Sequence, residues 1–250
     1  MERITSRRNP LVAHIRKLNT SRSYRREQGL FVAEGPKLLE EALRWGAEIP
    51  CLVQAEGANF PSPEGTRTCE VPADLLVYLS DTTAPQGVVF LCRMPTLRPP
   101  ETPAPGRYLV LDGVQDPGNV GTIWRTADAL GAQGLFLLEK CADPFSPKTV
   151  RASMGACFRL GAWEIGLDAL IAWLERGGIP LYAAALGANT ADVREVDWSV
   201  SAAVIGSEGK GVSPQVAAAC RRTVRIPMRE RCESLNAAVA AAIVLWEGAR

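Results

Sequence analysis

The sequence predicts an α/β protein in two parts, a small N-terminal α/β unit and a larger unit around a mostly parallel sheet. Three observations carry this. Short apolar runs alternate with stretches of helical periodicity, most regularly after residue 107. A Pro-dense stretch, 94–106, holds Pro95, Pro99, Pro100, Pro103 and Pro105 and reads as a semi-rigid linker. Two Ser-Pro pairs, Ser146-Pro147 and Ser213-Pro214, offer an N-cap and a first-turn proline to helices that follow strands. The expected division is 1–93, the linker 94–106, and 107–250.

The first 26 residues hold eight Arg or Lys against Glu2 alone, in a chain of 250 residues whose formal net charge is +1. Such asymmetry suggests an arm for a polyanion. Arg7, Arg8, Arg16, Lys17, Arg22, Arg25 and Arg26 are its candidate contacts, since guanidinium forks suit phosphates. Next, 29–33 reads as a strand and 36–45 as a helix, opened by Gly35-Pro36. Strands at 49–54 and 87–92, a loop at 57–65 and a helix at 72–79 complete the small unit. Beyond the linker, strands are expected at 108–111, 135–138, 181–185, 203–205 and 223–226. Helices are expected to start at Asn119, Ser146, Asp168, Ser213 and Ser234. Strands alternating with helices argue a parallel sheet covered on both faces.

Composition removes several classes of function. No apolar run is long enough to span a bilayer, and the first residues lack a secretory core. Seven cysteines, an odd number with no C-x-x-C pair, argue against a disulfide framework or zinc site and for a reducing cytoplasm. A single histidine, His14, leaves little for a His-based triad or metal centre, and it reads as a surface helix residue.

Three stretches can carry chemistry. In the first, Asp112 to Gly118 supplies turn residues after the apolar run 108–111. From Asn119, a candidate N-cap, Val120, Ile123, Trp124, Ala127 and Leu130 recur at helical spacing up to Gly131, placed as a C-cap glycine. Arg125 then stands near a helix start, where the dipole disfavours a cation and a phosphate would explain one. In the second, Gly206, Gly209 and Gly211 follow a strand and permit close backbone approach to a ligand. No Ser or Thr follows Lys210, so this is not a Walker A loop, and a plain strand-to-helix connection fits it equally. In the third, a strand ends at Pro227, a charged loop follows, and a helix opens at Ser234 with Asn236 able to donate and accept at once.

Taken in this order, the stretches resemble the three motifs of the SpoU (TrmH) family of RNA ribose methyltransferases, within the SPOUT class. The matching residues are Asp116-Pro117-Gly118-Asn119-Val120-Gly121 with Arg125-Thr126-Ala127, then Gly206-Ser207-Glu208-Gly209-Lys210-Gly211, then Ile226-Pro227-Met228 with Ser234-Leu235-Asn236. Arg151-Ala152-Ser153-Met154-Gly155-Ala156 also looks like the family. Phe31-Val32-Ala33-Glu34-Gly35 and Ala84-Pro85-Gln86-Gly87-Val88 resemble a ribosomal-protein-like substrate-binding domain. The resemblance implies a C-terminal parallel-sheet SPOUT domain with a deep trefoil knot, against the general rule for chain topology. It implies S-adenosyl-L-methionine as cofactor, held by Ile205, Gly206, Ile226, Met228 and Leu235, and a homodimer through the C-terminal domain. It makes Arg125 the key catalytic residue, with Asn119, Glu208, Ser234 and Asn236 as the other polar motif residues. Ribosomal RNA is the expected substrate. Transfer RNA, or a non-catalytic RNA-binding protein on the same fold, are the alternatives; a dehydrogenase would lack its glycine fingerprint. Two departures stand out: Glu230 where the family commonly has Gly, and Ala237-Ala238 after Asn236. Cys232 reads as a bystander thiol.

Overall fold

The computed structural model describes residues 1–185, 190–229, 231–232 and 234–250; Glu230 lies outside them. In chain order the elements are β1 (Glu2–Arg3), α1 (Pro10–Thr20), α2 (Arg22–Gln28), β2 (Leu30–Glu34), α3 (Pro36–Arg44), β3 (Cys51–Ala55), β4 (Arg67–Val71), α4 (Ala73–Leu79) and β5 (Val88–Arg93). They continue as β6 (Arg107–Asp112), α5 (Pro117–Ala129), β7 (Gly134–Leu137), α6 (Pro147–Ser153), β8 (Ala162–Glu164), α7 (Leu167–Arg176), β9 (Leu181–Ala184), β10 (Ala191–Asp192), β11 (Ser201–Gly206), α8 (Pro214–Ala219), β12 (Arg222–Arg225) and α9 (Ala237–Ala249). No helix among the described residues is long and apolar enough to cross a membrane.

The first unit comprises Met1–Pro95 together with Asp143–Phe158. Its five-stranded mixed sheet has the order β1-β4-β3-β5-β2, with β5 antiparallel to both neighbours. The expected basic arm is folded. Asn9 caps α1 by accepting from the Leu11 amide at 2.8 Å, Pro10 occupies its first turn, and Leu11, Ile15 and Leu18 bury one face. That i, i+4, i+7 spacing was present in the sequence, hidden under the charge of the other face. Arg25 is 3% exposed, and its Nε donates to Asp143 Oδ2 at 2.9 Å. This corrects its assignment to a phosphate-binding arm, because its fork is consumed inside the protein. The segment around α6 lies in the C-terminal half of the sequence but packs in this unit. Phe145 meets Phe31 at 4.9 Å between ring centroids, and Arg151 Nη1 reaches Asp81 Oδ2 at 2.9 Å. Nothing in the local sequence of 143–158 marks its destination, since the partners are long-range.

The second unit comprises Thr96–Ala142 and Arg159–Arg250. Its seven strands are all parallel, in the order β10-β12-β9-β11-β6-β7-β8. Strand order reverses between β6 and β11, which makes their C-terminal ends the switch point of the sheet. The edge strands β8 and β10 escaped the sequence reading because three and two residues show no periodicity. On one face, Phe136 meets Trp163 at 5.1 Å and Trp173 at 5.0 Å. The Pro-rich stretch is irregular but docked: Trp173 Nε1 donates to the Pro100 carbonyl at 2.7 Å and the Tyr108 hydroxyl to that of Ala104 at 2.8 Å.

Two helix starts differ from expectation, with consequences for the site. α5 begins at Pro117, and Asp116, not Asn119, is its cap, accepting from the Asn119 amide at 2.9 Å. Asp-Pro is a stronger opening than Asn, because proline lacks the amide that a first-turn position leaves unpaired. Arg125 is therefore the ninth residue of α5, beyond the reach of the helix N-terminus, and the phosphate argument from the dipole fails. α9 begins at Ala237, and Asn236, not Ser234, is its cap, accepting from the amides of Ala238 (2.9 Å) and Val239 (3.3 Å).

Candidate cofactor and catalytic site

The site lies in the second unit, where chain leaves the C-terminal ends of parallel strands. β11 ends at Gly206, and the next residues close on themselves. Ser207 N donates to Gly211 O at 3.1 Å, Gly211 N to Ser207 O at 2.9 Å, and Lys210 N to Ser207 Oγ at 3.3 Å. Gly211 takes φ +66°, the left-handed turn that lets the loop close. Glu208, Gly209 and Lys210 are thus displayed at an exposed tip. A Cβ at Gly206 would sit on the backbone of Gly211 and Val212, so only glycine permits this closure.

This turn, the chain after β12 and the approach to α9 enclose a cavity of about 460 Å³. Ile205, Gly206, Ile226, Met228, Ser234 and Leu235 are among its lining residues, so the five residues expected to hold a cofactor share one wall system. Its size falls in the range of small-molecule sites, and its lining of apolar side chains with free-standing backbone suits an uncharged nucleoside portion. A larger recess of about 1150 Å³ shares Ser207 to Gly211 and adds Asp112, Gly113, Gln115 and Lys140.

Three motif residues form a chain of side-chain hydrogen bonds. Asn236 Nδ2 donates to Asn119 Oδ1 at 3.1 Å, and Asn119 Nδ2 donates to Glu208 Oε1. Because Asn236 Oδ1 is committed to capping α9, its amide orientation is fixed, which fixes Asn119 in turn and leaves Glu208 an acceptor. Burial pushes the thiols of Cys141 and Cys220, both near Asp112, up to about 11 and about 12. Neither is a thiolate nucleophile at neutral pH.

Arg125 is not part of this cluster. It is exposed on α5, has no hydrogen-bond or ion-pair partner among the described residues, and does not line the cavity. Six residues beyond Asn119, it lies about 9 Å along the helix and about 120° around it. Of the remaining cations assigned to RNA, Arg7, Arg8, Lys17 and Arg22 are exposed, and Arg16 and Arg26 are half-buried. Arg26 also approaches Asp143, at 3.7 Å.

Fold and site together define an α/β protein that cradles a nucleoside-sized ligand in loops at the C-terminal edge of a parallel sheet. Residues 106–246 match the SpoU rRNA methylase family and residues 9–89 the MRM3-like substrate binding domain, so the chain belongs to the SpoU rRNA methylase family. It is 33% identical to the 23S rRNA (guanosine(2553)-2'-O)-methyltransferase RlmP of Bacillus subtilis, over 98% of each chain. It is 32% identical to the 23S rRNA (uridine(2479)-2'-O)-methyltransferase of Streptomyces viridochromogenes, over 99% of this chain and 92% of that one. Among solved structures it resembles the AdoMet-bound rRNA methyltransferase from Sinorhizobium meliloti, with TM-score 0.88 and 33% identity, covering 99% of this chain and 97% of that one.

Proposed function

We propose that this chain transfers a methyl group from S-adenosyl-L-methionine to a ribose 2′-hydroxyl of ribosomal RNA. The observation that carries the reading is the meeting of three separated segments at one cavity, Ala184-Ala185 at the end of β9, the 206–211 turn and the β12–α9 connection, beside the Asn236–Asn119–Glu208 bonds. Full-length likeness to two 23S rRNA methyltransferases favours ribosomal over transfer RNA. When bound, the cofactor supplies an electrophilic sulfonium methyl. Ile205, Gly206, Ile226, Met228 and Leu235 hold it. Asn119 and Asn236 orient the target ribose, Glu208 fixes that pair from the turn, and Ser234 meets the substrate phosphate. The recess at the switch point receives the target nucleotide.

As the methyl–oxygen bond forms, the sulfonium–methyl bond would break to leave a neutral thioether, and the hydroxyl proton would pass to water. Arg125 does not take it, since a guanidinium carries only donors and no acceptor. Its guanidinium instead engages the phosphate beside the ribose and stabilises the developing alkoxide. Arg125 lies off the cavity wall, and a second copy of the chain brings it to the ribose. A homodimer through the C-terminal domain, packed on the α5–α9 side, supplies that copy. The N-terminal unit holds the RNA, and a reducing cytoplasm suits seven free cysteines. Arg125→Ala is expected to abolish methyl transfer, measured with labelled cofactor and ribosomal RNA, while cofactor affinity stays within a few-fold. Near-normal turnover would remove Arg125 from the mechanism, and failure to bind the cofactor at all would favour a non-catalytic RNA-binding protein.

A further inference from the structure

In the first unit, α1 lies between α2 and α4, and cations from α1 reach aromatic rings on both neighbours. Lys17 Nζ stands 4.0 Å from the centroid of the Tyr24 ring on α2. Arg16 Cζ stands 4.9 Å from that of Tyr78 on α4, and Arg7 Cζ stands 4.7 Å from the same ring. Arg7 and Arg16 thus share the Tyr78 ring, and Lys17 takes that of Tyr24.

The band is held from beneath. Asn19, buried, donates from Nδ2 to the Leu79 carbonyl at 2.8 Å, Arg16 Nη1 donates to the Tyr78 carbonyl at 3.1 Å, and the Tyr24 hydroxyl is tied to His14 Nδ1 at 2.9 Å. Its charge is largely uncompensated. Arg3, Arg25, Arg67, Arg93 and Arg151 each face a carboxylate. Arg16 and Lys17 face none among the described residues, and Arg7 has only the exposed Asp74 at 3.8 Å. A cation over an aromatic ring gains on the order of 0.5–1 kcal/mol at an exposed site, which accounts for each pair alone. It does not account for three cations gathered along one ridge with a single exposed carboxylate, Asp74, beside them.

We propose that this band is the surface on which the N-terminal unit receives the phosphate backbone of its RNA, with Tyr24 and Tyr78 as the scaffolds that pre-position Lys17, Arg16 and Arg7. The inference rests on the reading of the chain as an RNA methyltransferase. Neither tyrosine has an evident signal in the sequence, because their value comes from the cations beside them. Rings that restrict long side chains in the free protein reduce the ordering cost on binding, and basic side chains interleaved with aromatic ones suit nucleic acid backbones.

The test uses the full chain and transcribed 23S ribosomal RNA, with affinity measured from low to high salt. R16E/K17E is expected to bind about tenfold more weakly, with a salt slope flatter by about 0.7–0.9 for each phosphate left unneutralised. Tyr78→Ala is expected to weaken binding and Tyr78→Phe to keep it, because the ring and not the hydroxyl holds the guanidiniums. Arg44→Glu, an exposed cation on α3, is the control and is expected to bind as wild type. Thermal melts confirm that each variant folds. Wild-type affinity and slope in folded R16E/K17E would overturn the band while leaving the methyltransferase reading intact. A wild-type chain that binds S-adenosyl-L-methionine but no RNA would overturn both.

Discussion

Asn236 serves two elements at once: its oxygen caps α9 and its amide nitrogen reaches Asn119, which in turn holds Glu208. The two duties separate by substitution. Asn236→Ala is expected to cost about 1 kcal/mol of stability through the lost cap and most of the methyl-transfer rate. Asn236→Ser keeps a capping oxygen but loses the amide donor, so its melting temperature should stay near wild type while turnover still falls. Wild-type turnover in Asn236→Ser would show that the link to Asn119 is not used. At this scale the sequence exposed which residues matter and misplaced what some of them do. The sequence opens the last helix at Ser234, yet its first amides are met from Asn236. Arg25 looked like one more cation of an arm, and only its distant partner Asp143 shows that it belongs to the core.

The 206–211 turn shows how an element converts composition into a site. Three glycines in six residues is a weak pattern in the sequence. In the structure Gly206 lies so close to Gly211 and Val212 that a side chain has no room, and the closed turn becomes one wall of the cavity. Gly206→Ala is therefore expected to open the turn and weaken S-adenosyl-L-methionine binding at least tenfold, read by calorimetry. Gly209 has open space around its Cβ position, so Gly209→Ala should bind within a few-fold of wild type. Equal affinities for the two variants would mean that turn closure does not shape the pocket. Longer elements were readable: α3, α7, β6 and β11 fall within a few residues of their expected places. The short ones were not. β1 and β10 are two residues each and exist because a parallel neighbour pairs with them, which no local periodicity records.

For the whole molecule, α9 raises the question of what covers it. Ala237 to Leu245 is apolar on every side, a pattern that belongs to a buried helix. One side packs against α5 and β11. On another, Val239 is 48% exposed and Trp246 58%, at i and i+7, with half-buried Ile243 between them. A large aromatic residue at the surface of an apolar helix marks an interface. On the proposed reading, Arg125, exposed on α5 and outside the cavity, reaches the reacting ribose of a second copy of the chain. Both facts are answered by one symmetric contact, in which the same patch serves both copies. Trp246→Glu places a charge at that contact and should convert a dimer to monomer in sedimentation experiments. The same variant should lose methyl transfer in parallel with the dimer, and high protein concentration should restore both together. A Trp246→Glu chain that remains dimeric would place the contact elsewhere. A wild-type chain that methylates RNA as a monomer would require Arg125 to act within its own subunit or not at all.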